Sequence, residues 1–332
     1  MNTLTIIGAG GWGTALSIAL AGNLSTIRLW AFEPELAESL RQSRMNAMYL
    51  PGFSIPANVY PTHDLEAALR DAELVLTAVP SQHVREIYRQ MLPLLRSEMT
   101  FISATKGLES HTLLRMSQVI HETIAPEFQP RLAALSGPTF AREVAHGAPT
   151  AVVIASEDEA LAGRLQQQFS TAALRLYTNT DVAGVELGGA VKNVIAIAAG
   201  MCEGMELGLN AVAALITRGL SEITRLACAC GARRETLAGL AGLGDLVLTC
   251  TGAQSRNRSA GVELGRGRSL QDILASTRMV IEGIHTTAAT LELARQKGVE
   301  MPITEQMHAV LYRNRPPREA LRELMERSLK SE

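Results

Sequence analysis

Short apolar runs alternate with helix-periodic segments along the first half of the chain. Leu4-Thr5-Ile6-Ile7 ends at Gly8, and Ala15, Ile18, Ala19 and Gly22 then recur at the i, i+3, i+4, i+7 spacing of one helix face. The small residues on that face predict a helix packed close to a sheet. Ile27–Trp30 reads as the second strand, followed by Leu74–Val79, Thr100–Ala104, Leu132–Ser136, Thr150–Ala155 and Leu174–Tyr177. Most of these follow segments of crossover length, which predicts a largely parallel sheet covered on both faces. After Tyr177 the strand-like runs stop. Val185–Met201, Asn210–Cys230, Ser269–Ser276, His285–Lys297 and Glu319–Lys330 all read as helix, and Arg313–Arg318, with its two prolines, reads as a helix-breaking loop. The expected division is residues 1–178 for an α/β domain and residues 179–332 for an all-α domain.

Composition narrows the function classes. Charged residues make up 19% of the 332 positions, against about 25% in an average globular chain, which points to much buried surface and an oligomer interface. The net charge of −2 offers no basic excess for a nucleic-acid backbone or an anionic membrane. Asn2–Ile27 is uncharged, but it lacks a preceding basic region and carries five glycines, four of them between Gly8 and Gly13. That clustering suits a turn rather than a signal peptide or membrane helix, so a cytoplasmic protein with no membrane segment is expected. Cys202, Cys228, Cys230 and Cys250 form no CxxC pair and the histidines show no ligand spacing. Reduced thiols and no metal site are the expectation.

The glycine cluster has the context that gives such a motif meaning: a strand before it, a helix after it, and an acid, Glu33, about 20 residues on. Gly8 is read as permitting the tight turn, Gly10 as letting backbone N–H groups approach a pyrophosphate at the helix N-terminus, and Gly13 as allowing close helix–strand packing. The N-terminal domain is therefore expected to be a Rossmann-type, doubly wound dinucleotide-binding sheet. Glu33 is either an acceptor for the adenosine ribose or a solvated loop carboxylate.

Ligands of such sheets bind beyond the carboxyl ends of the strands. Thr105-Lys106-Gly107 and Ser136-Gly137-Pro138-Thr139 fall there, and Lys106 places a cation at that edge. Lys192 lies in the apolar run Gly188–Ala198, and none of Gly188, Gly189, Ile195 or Ala196 can pair with it along the helix. Either burial without a partner disfavours the charged form, the condition for a general acid/base, or the lysine snorkels to water from the helix edge. Gly239–Asp245 reads as a glycine-broken loop permitting close backbone approach, with Asp245 binding a substrate hydroxyl, orienting Lys192 or capping a helix. Ser255-Arg256-Asn257-Arg258 gathers donors suited to a phosphate, or forms a solvated basic turn.

Taken together, these motifs resemble the soluble, bacterial-type NAD(P)-dependent glycerol-3-phosphate dehydrogenase family. The resemblance rests on Gly8–Leu16, Ala104–Glu109, Ser136–Ala141, Glu186–Asn193, Gly242–Leu246, Ser255–Arg258, Val280–Gly283 and Met301–Thr304, in family order over nearly the whole chain. It implies reversible hydride transfer between NAD or NADP and a small phosphorylated substrate, dihydroxyacetone phosphate or sn-glycerol 3-phosphate, supplying phospholipid synthesis. It implies Lys192 as the proton donor/acceptor, with Lys106 assisting. Substrate contacts are implied for Lys106, Gly137, Thr139, Asp245, Ser255, Arg256 and Asn257. Cofactor contacts are implied for Gly11, Trp12, Phe32, Lys106, Ala141, Arg256, Val280 and Glu282. It also implies an all-α second domain and commonly a dimer. One departure stands out. Where the family often carries a basic side chain after the second strand, this chain has Phe32-Glu33, which favours NAD at least as well as NADP unless Arg28, Arg41 or Arg44 compensates. A related hydroxy-acid or sugar-acid phosphate dehydrogenase is the nearest alternative, and a cofactor-binding redox sensor without turnover a more distant one.

Overall fold

The computed structural model describes residues 3–277 and 279–328. The strands are β1 (Thr3–Ile7), β2 (Thr26–Trp30), β3 (Met45–Asn46), β4 (Leu50–Ser54), β5 (Val59–Thr62), β6 (Leu74–Thr77), β7 (Thr100–Ser103), β8 (Arg131–Ser136), β9 (Thr150–Ala155) and β10 (Leu174–Asn179). Among the described residues, eight of them form one sheet in the order β10-β9-β8-β7-β6-β1-β2-β5, while β3 and β4 make a separate antiparallel hairpin. Every pairing in the large sheet is parallel except β8–β9. The connection at the exception carries little helix. The helix between these strands, Ala141–Ala145, has five residues and so spans only about 7 Å, against about 20 Å for a six-residue strand. β9 runs back alongside β8 instead of crossing over.

Apolar side chains cover both faces of the sheet. Leu4, Ile6, Leu29, Leu76, Ile102 and Ile154 belong to one buried cluster. Ile7, Trp30, Val75, Tyr88 and Phe101 belong to the other. The expected strands are present within two residues at each end. Sequence patterning passed over β5, whose Val59-Tyr60-Pro61-Thr62 contains a proline; the strand sits at the edge of the sheet, where a missing N–H is tolerated. The chain leaves β1 for β2 and β5 on one side and returns to β6, β7 and β8 on the other. This places the Gly8 turn where the strand order reverses.

Contacts divide the chain into two compact units. The first comprises residues through Lys106 with Leu114–Glu186; the second comprises Gly107–Leu113 and the chain from Leu187 on. The second unit is helical: it holds the helix Val182–Gly204 from Leu187 on, the long helix Gly208–Ala229, and shorter ones at Asp245–Thr251, Arg256–Gly265, Glu282–Gln296, Pro302–Arg313 and Pro317–Met325. The last was expected to run to Lys330, and Leu329 and Lys330 lie outside the described residues. The loop expected at Arg313–Arg318 is shorter than that: only Asn314, at φ 53°, Arg315 and Pro316 separate the two helices. Gly239–Asp245, expected as a loop, is helical instead: Leu240–Gly244 makes a wide π-type turn running straight into Asp245–Thr251.

Glycines lock this unit together. A Cβ on Gly200 would stand 2.0 Å from Arg258 O, and one on Gly261 would stand 2.0 Å from Ile197 O. The helices Val182–Gly204 and Arg256–Gly265 therefore touch backbone to backbone. Val182–Gly204 has the length and apolarity of a membrane span, but its most apolar window is 83% buried, as befits a core helix.

Candidate functional site

The glycine turn is assembled as its spacing predicts. Gly8 has φ +115°, and a Cβ there would lie 2.8 Å from Ala78 O. A Cβ on Gly13 would lie 1.9 Å from Gly8 O, so only glycine lets the helix Gly11–Leu20 pack this close to β1. Gly10 differs. A Cβ there would meet nothing within 4 Å, so protein packing does not require this glycine, whereas an incoming ligand would. The helix N-terminus carries no side-chain cap and no acid in its first turn, leaving its N–H groups and positive dipole end for an anion. These features fit the pyrophosphate of a dinucleotide. Gly11 approaches Tyr49 O and the Ala141 side chain, and Trp12 packs half-buried among Ala15, Leu50 and Val144.

Beyond β2, Phe32 is 71% exposed, an uncovered aromatic face beside Glu33. Glu33 precedes the helix Pro34–Ser43 without capping it and accepts a hydrogen bond from Tyr49 Oη at 3.3 Å. At the ends of β7 and β8, Lys106 Nζ donates to Gly137 O at 2.9 Å and Thr139 Oγ1 at 3.3 Å. Gly137, at φ +145°, makes the carbonyl available by packing 3.0 Å from Val152 Cα at the position of its absent side chain. Lys106, Gly137 and Thr139 are thus one cluster, and the helix that begins at Ala141 packs on the glycine-turn helix.

In the second unit, Lys192 is 4% exposed and Asp245 is fully buried. A counter-charge for Lys192 comes from 53 residues away: Nζ donates to Asp245 Oδ1 and, at 2.7 Å, to Thr249 Oγ1. Lys192 is therefore a buried ammonium in an ion pair rather than an unpartnered one. Thr249, one turn after Asp245, was not singled out from sequence; the i, i+4 spacing behind an acid was its only signal. Glycines bring the pair together. A Cβ on Gly188 would stand 2.6 Å from Ala241 O, and one on Gly242 would stand 2.1 Å from Leu237 O. The close approach that these glycines permit is to the chain itself. Cys250 follows Thr249, and burial pushes its thiol up to about 12, so it stays protonated and is no nucleophile.

Ser255–Arg258 is more structural than its composition suggested. Ser255 is buried and caps Arg256–Gly265, its Oγ accepting from Arg258 N at 3.2 Å. Arg258 pairs with Glu203. Asn257 Nδ2 donates to Asn193 Oδ1 at 2.9 Å, and its Oδ1 accepts from Gly283 N at 2.9 Å. This ties the residue after Lys192 to the start of Glu282–Gln296. Arg256 reaches the surface and donates to Val280 O at 2.9 Å. Ser255 Oγ–H, one Asn257 N–H and most of the Arg256 fork are not used in these bonds. Among the described residues there is no cluster of three or more His, Cys, Asp or Glu side chains that could hold a metal.

Comparison with known proteins covers the whole of this architecture. A family model described as NAD-dependent glycerol-3-phosphate dehydrogenase N-terminus matches residues 3–162, and its C-terminus counterpart matches residues 181–322. The chain is 59% identical over 329 residues to a glycerol-3-phosphate dehydrogenase [NAD(P)+] from Koribacter versatilis, covering 98% of each. It is 53% identical to one from a Geobacter species, covering 99% of this chain and 98% of that one. The crystal structure of glycerol-3-phosphate dehydrogenase from Coxiella burnetii, 40% identical, superposes with a TM-score of 0.94 over 98% of this chain and 99% of its own. The chain belongs to the NAD-dependent glycerol-3-phosphate dehydrogenase family.

Proposed function

We propose that the chain interconverts dihydroxyacetone phosphate and sn-glycerol 3-phosphate with NAD(P)H or NAD(P)⁺, chiefly in the reducing direction that supplies glycerophospholipid synthesis. The observation that carries this reading is the buried Lys192 ammonium, held by Asp245 and Thr249 in a chain whose other unit has a built dinucleotide turn. Residues 1–178 hold the cofactor and residues 179–332 the substrate. When bound, the reduced nicotinamide supplies a hydride to C2 of the ketone.

The chain's own groups do the rest. Lys192 donates a proton to the C2 oxygen as it becomes an alkoxide, and in oxidation it takes that proton back. Asp245 keeps the ammonium charged and aimed, and Thr249 fixes a second of its three N–H directions. Lys106 adds a positive charge near the developing alkoxide, with Gly137 and Thr139 holding it. The substrate phosphate falls to Arg256, Ser255 and Asn257, whose binding energy orients C2 for reaction. Gly8, Gly10, Gly11, Trp12 and Gly13 receive the pyrophosphate, while Phe32 and Glu33 meet the adenosine. Ala141, Arg256, Val280 and Glu282 complete the cofactor contacts. The protein acts in the cytoplasm as a homodimer, for which its low charge content speaks.

The test is loss of NADH or NADPH absorbance on adding dihydroxyacetone phosphate. Turnover with at least one cofactor is expected. No turnover with either, in protein that binds nucleotide, refutes the substrate assignment.

A further inference from the structure

The glycine turn is braced from outside its own strand–helix unit. Asn46, in β3, is fully buried. Its Nδ2 donates to Ala9 O and to Thr14 Oγ1, each at 2.8 Å. Its Oδ1 accepts from Tyr49 N at 3.0 Å. Tyr49 in turn places its carbonyl against Gly11, 2.8 Å from where a Cβ would stand, and its hydroxyl on Glu33 Oε1. One short segment between β3 and β4 therefore touches both the turn that fits a pyrophosphate and the acid expected at the adenosine ribose.

Resting on the reading of the chain as an NAD(P)-dependent dehydrogenase, we propose that Tyr49 is a specificity-determining positioning residue: its hydroxyl holds the Glu33 carboxylate at the ribose and so disfavours a cofactor bearing a 2′-phosphate. A carboxylate fixed there accepts a bond from a free 2′-hydroxyl. It also repels a phosphate, which carries about −1.5 to −2 charges near neutral pH. A carboxylate free to swing into solvent does both less well. Glu33 has no hold from its own helix, since it makes no capping bond. Arg28, Arg41 and Arg44 each already bond within the protein, which orients them without cancelling their charge. Arg28 pairs with Asp71 at 2.9 Å, Arg41 with Glu38 at 2.7 Å, and Arg44 donates to Ile55 O at 3.3 Å and to Pro56 O. Asn46 is the strut that keeps Tyr49 in register with the turn.

The experiment is a fluorescence titration of NADH and NADPH, without substrate, against the wild type, Tyr49→Phe, Glu33→Gln and the double variant. The wild type should bind NADH at least as tightly as NADPH. Tyr49→Phe should shift the ratio of the two dissociation constants toward NADPH by about three- to tenfold, the reach of one partly exposed bond to a charged group. Glu33→Gln should shift it further, and adding Tyr49→Phe to Glu33→Gln should move it by less than about twofold. Three results overturn the proposal: a wild type that strongly prefers NADPH, a Tyr49→Phe that weakens both nucleotides equally, or a Tyr49→Phe shift that persists in the Glu33→Gln background. Because the titration contains no substrate, failure to reduce dihydroxyacetone phosphate leaves it standing and falls on the substrate assignment alone.

Discussion

The turn from Gly8 to Gly13 is a contiguous run of backbone that distant residues only brace, whereas Lys192 is a single side chain that takes its counter-charge from 53 residues and a second acceptor from 57 residues along the chain. In the first case the backbone is the working part. Three glycines let main-chain N–H groups stand open at a helix end, and each glycine's role follows from where its missing Cβ would fall. In the second, one charged side chain is the working part, and the fold must bring it a counter-charge in a place without water. A buried ammonium cannot lose its carboxylate without the charge itself becoming a liability.

The largest effect should come from breaking the turn sterically. Gly13→Val puts carbon within 1.9 Å of Gly8 O, so cofactor binding should be abolished in whatever protein folds; nucleotide fluorescence titration reads this, and retained binding would show the turn to be more yielding than described. Asp245→Asn comes next. It leaves Lys192 buried beside a neutral amide, and both kcat and Tm should fall, the stability by about 3–5 kcal/mol, while NADH still binds. Thermal melts and steady-state rates check it together. Thr249→Val removes one of the ammonium's acceptors at nearly constant volume. A loss in kcat of about five- to twentyfold is expected, in keeping with one hydrogen bond to a charged group.

The smallest effect separates a buried charge held in an ion pair from a buried carboxyl held mainly by backbone N–H groups. Glu222 is buried on Gly208–Ala229 and accepts from Ile303 N at 2.7 Å and from Thr304 N and Oγ1 at 3.2 Å each. Burial outweighs these bonds and raises its pKa from 4.5 to about 7. A carboxyl raised on folding binds its proton more tightly in the native state. Its contribution to stability is complete below about pH 4.5 and is lost as pH rises through about 7. Melting temperatures taken across that window should decline more steeply for the wild type than for Glu222→Gln, and parallel curves would contradict the assignment.

These contrasts also explain what could be read without coordinates. The parallel strands were legible because buried strands are continuous apolar runs, and the glycine turn because its spacing, strand and acid are all local. The reversal at β9 was not, since a strand's direction is set by its pairing and leaves no mark on its apolar run. Lys192 stood out by the absence of any partner within a helical turn, but the identity of its partner required the π-type turn that delivers Asp245. Gly200 and Gly204, like Gly261 and Gly265, have a visible four-residue spacing; that they face one another is a fact of packing. Asn46 and Tyr49 had no sequence signal, because their importance lies wholly in what they touch.

The measurement that bears most directly on the central claim is turnover by Lys192→Ala with NADH and dihydroxyacetone phosphate, run beside an NADH binding titration. Loss of the proton donor should lower kcat by roughly 10²–10⁴-fold while the nucleotide dissociation constant stays within about threefold of the wild type. Near-normal turnover in a variant that binds NADH would contradict the account.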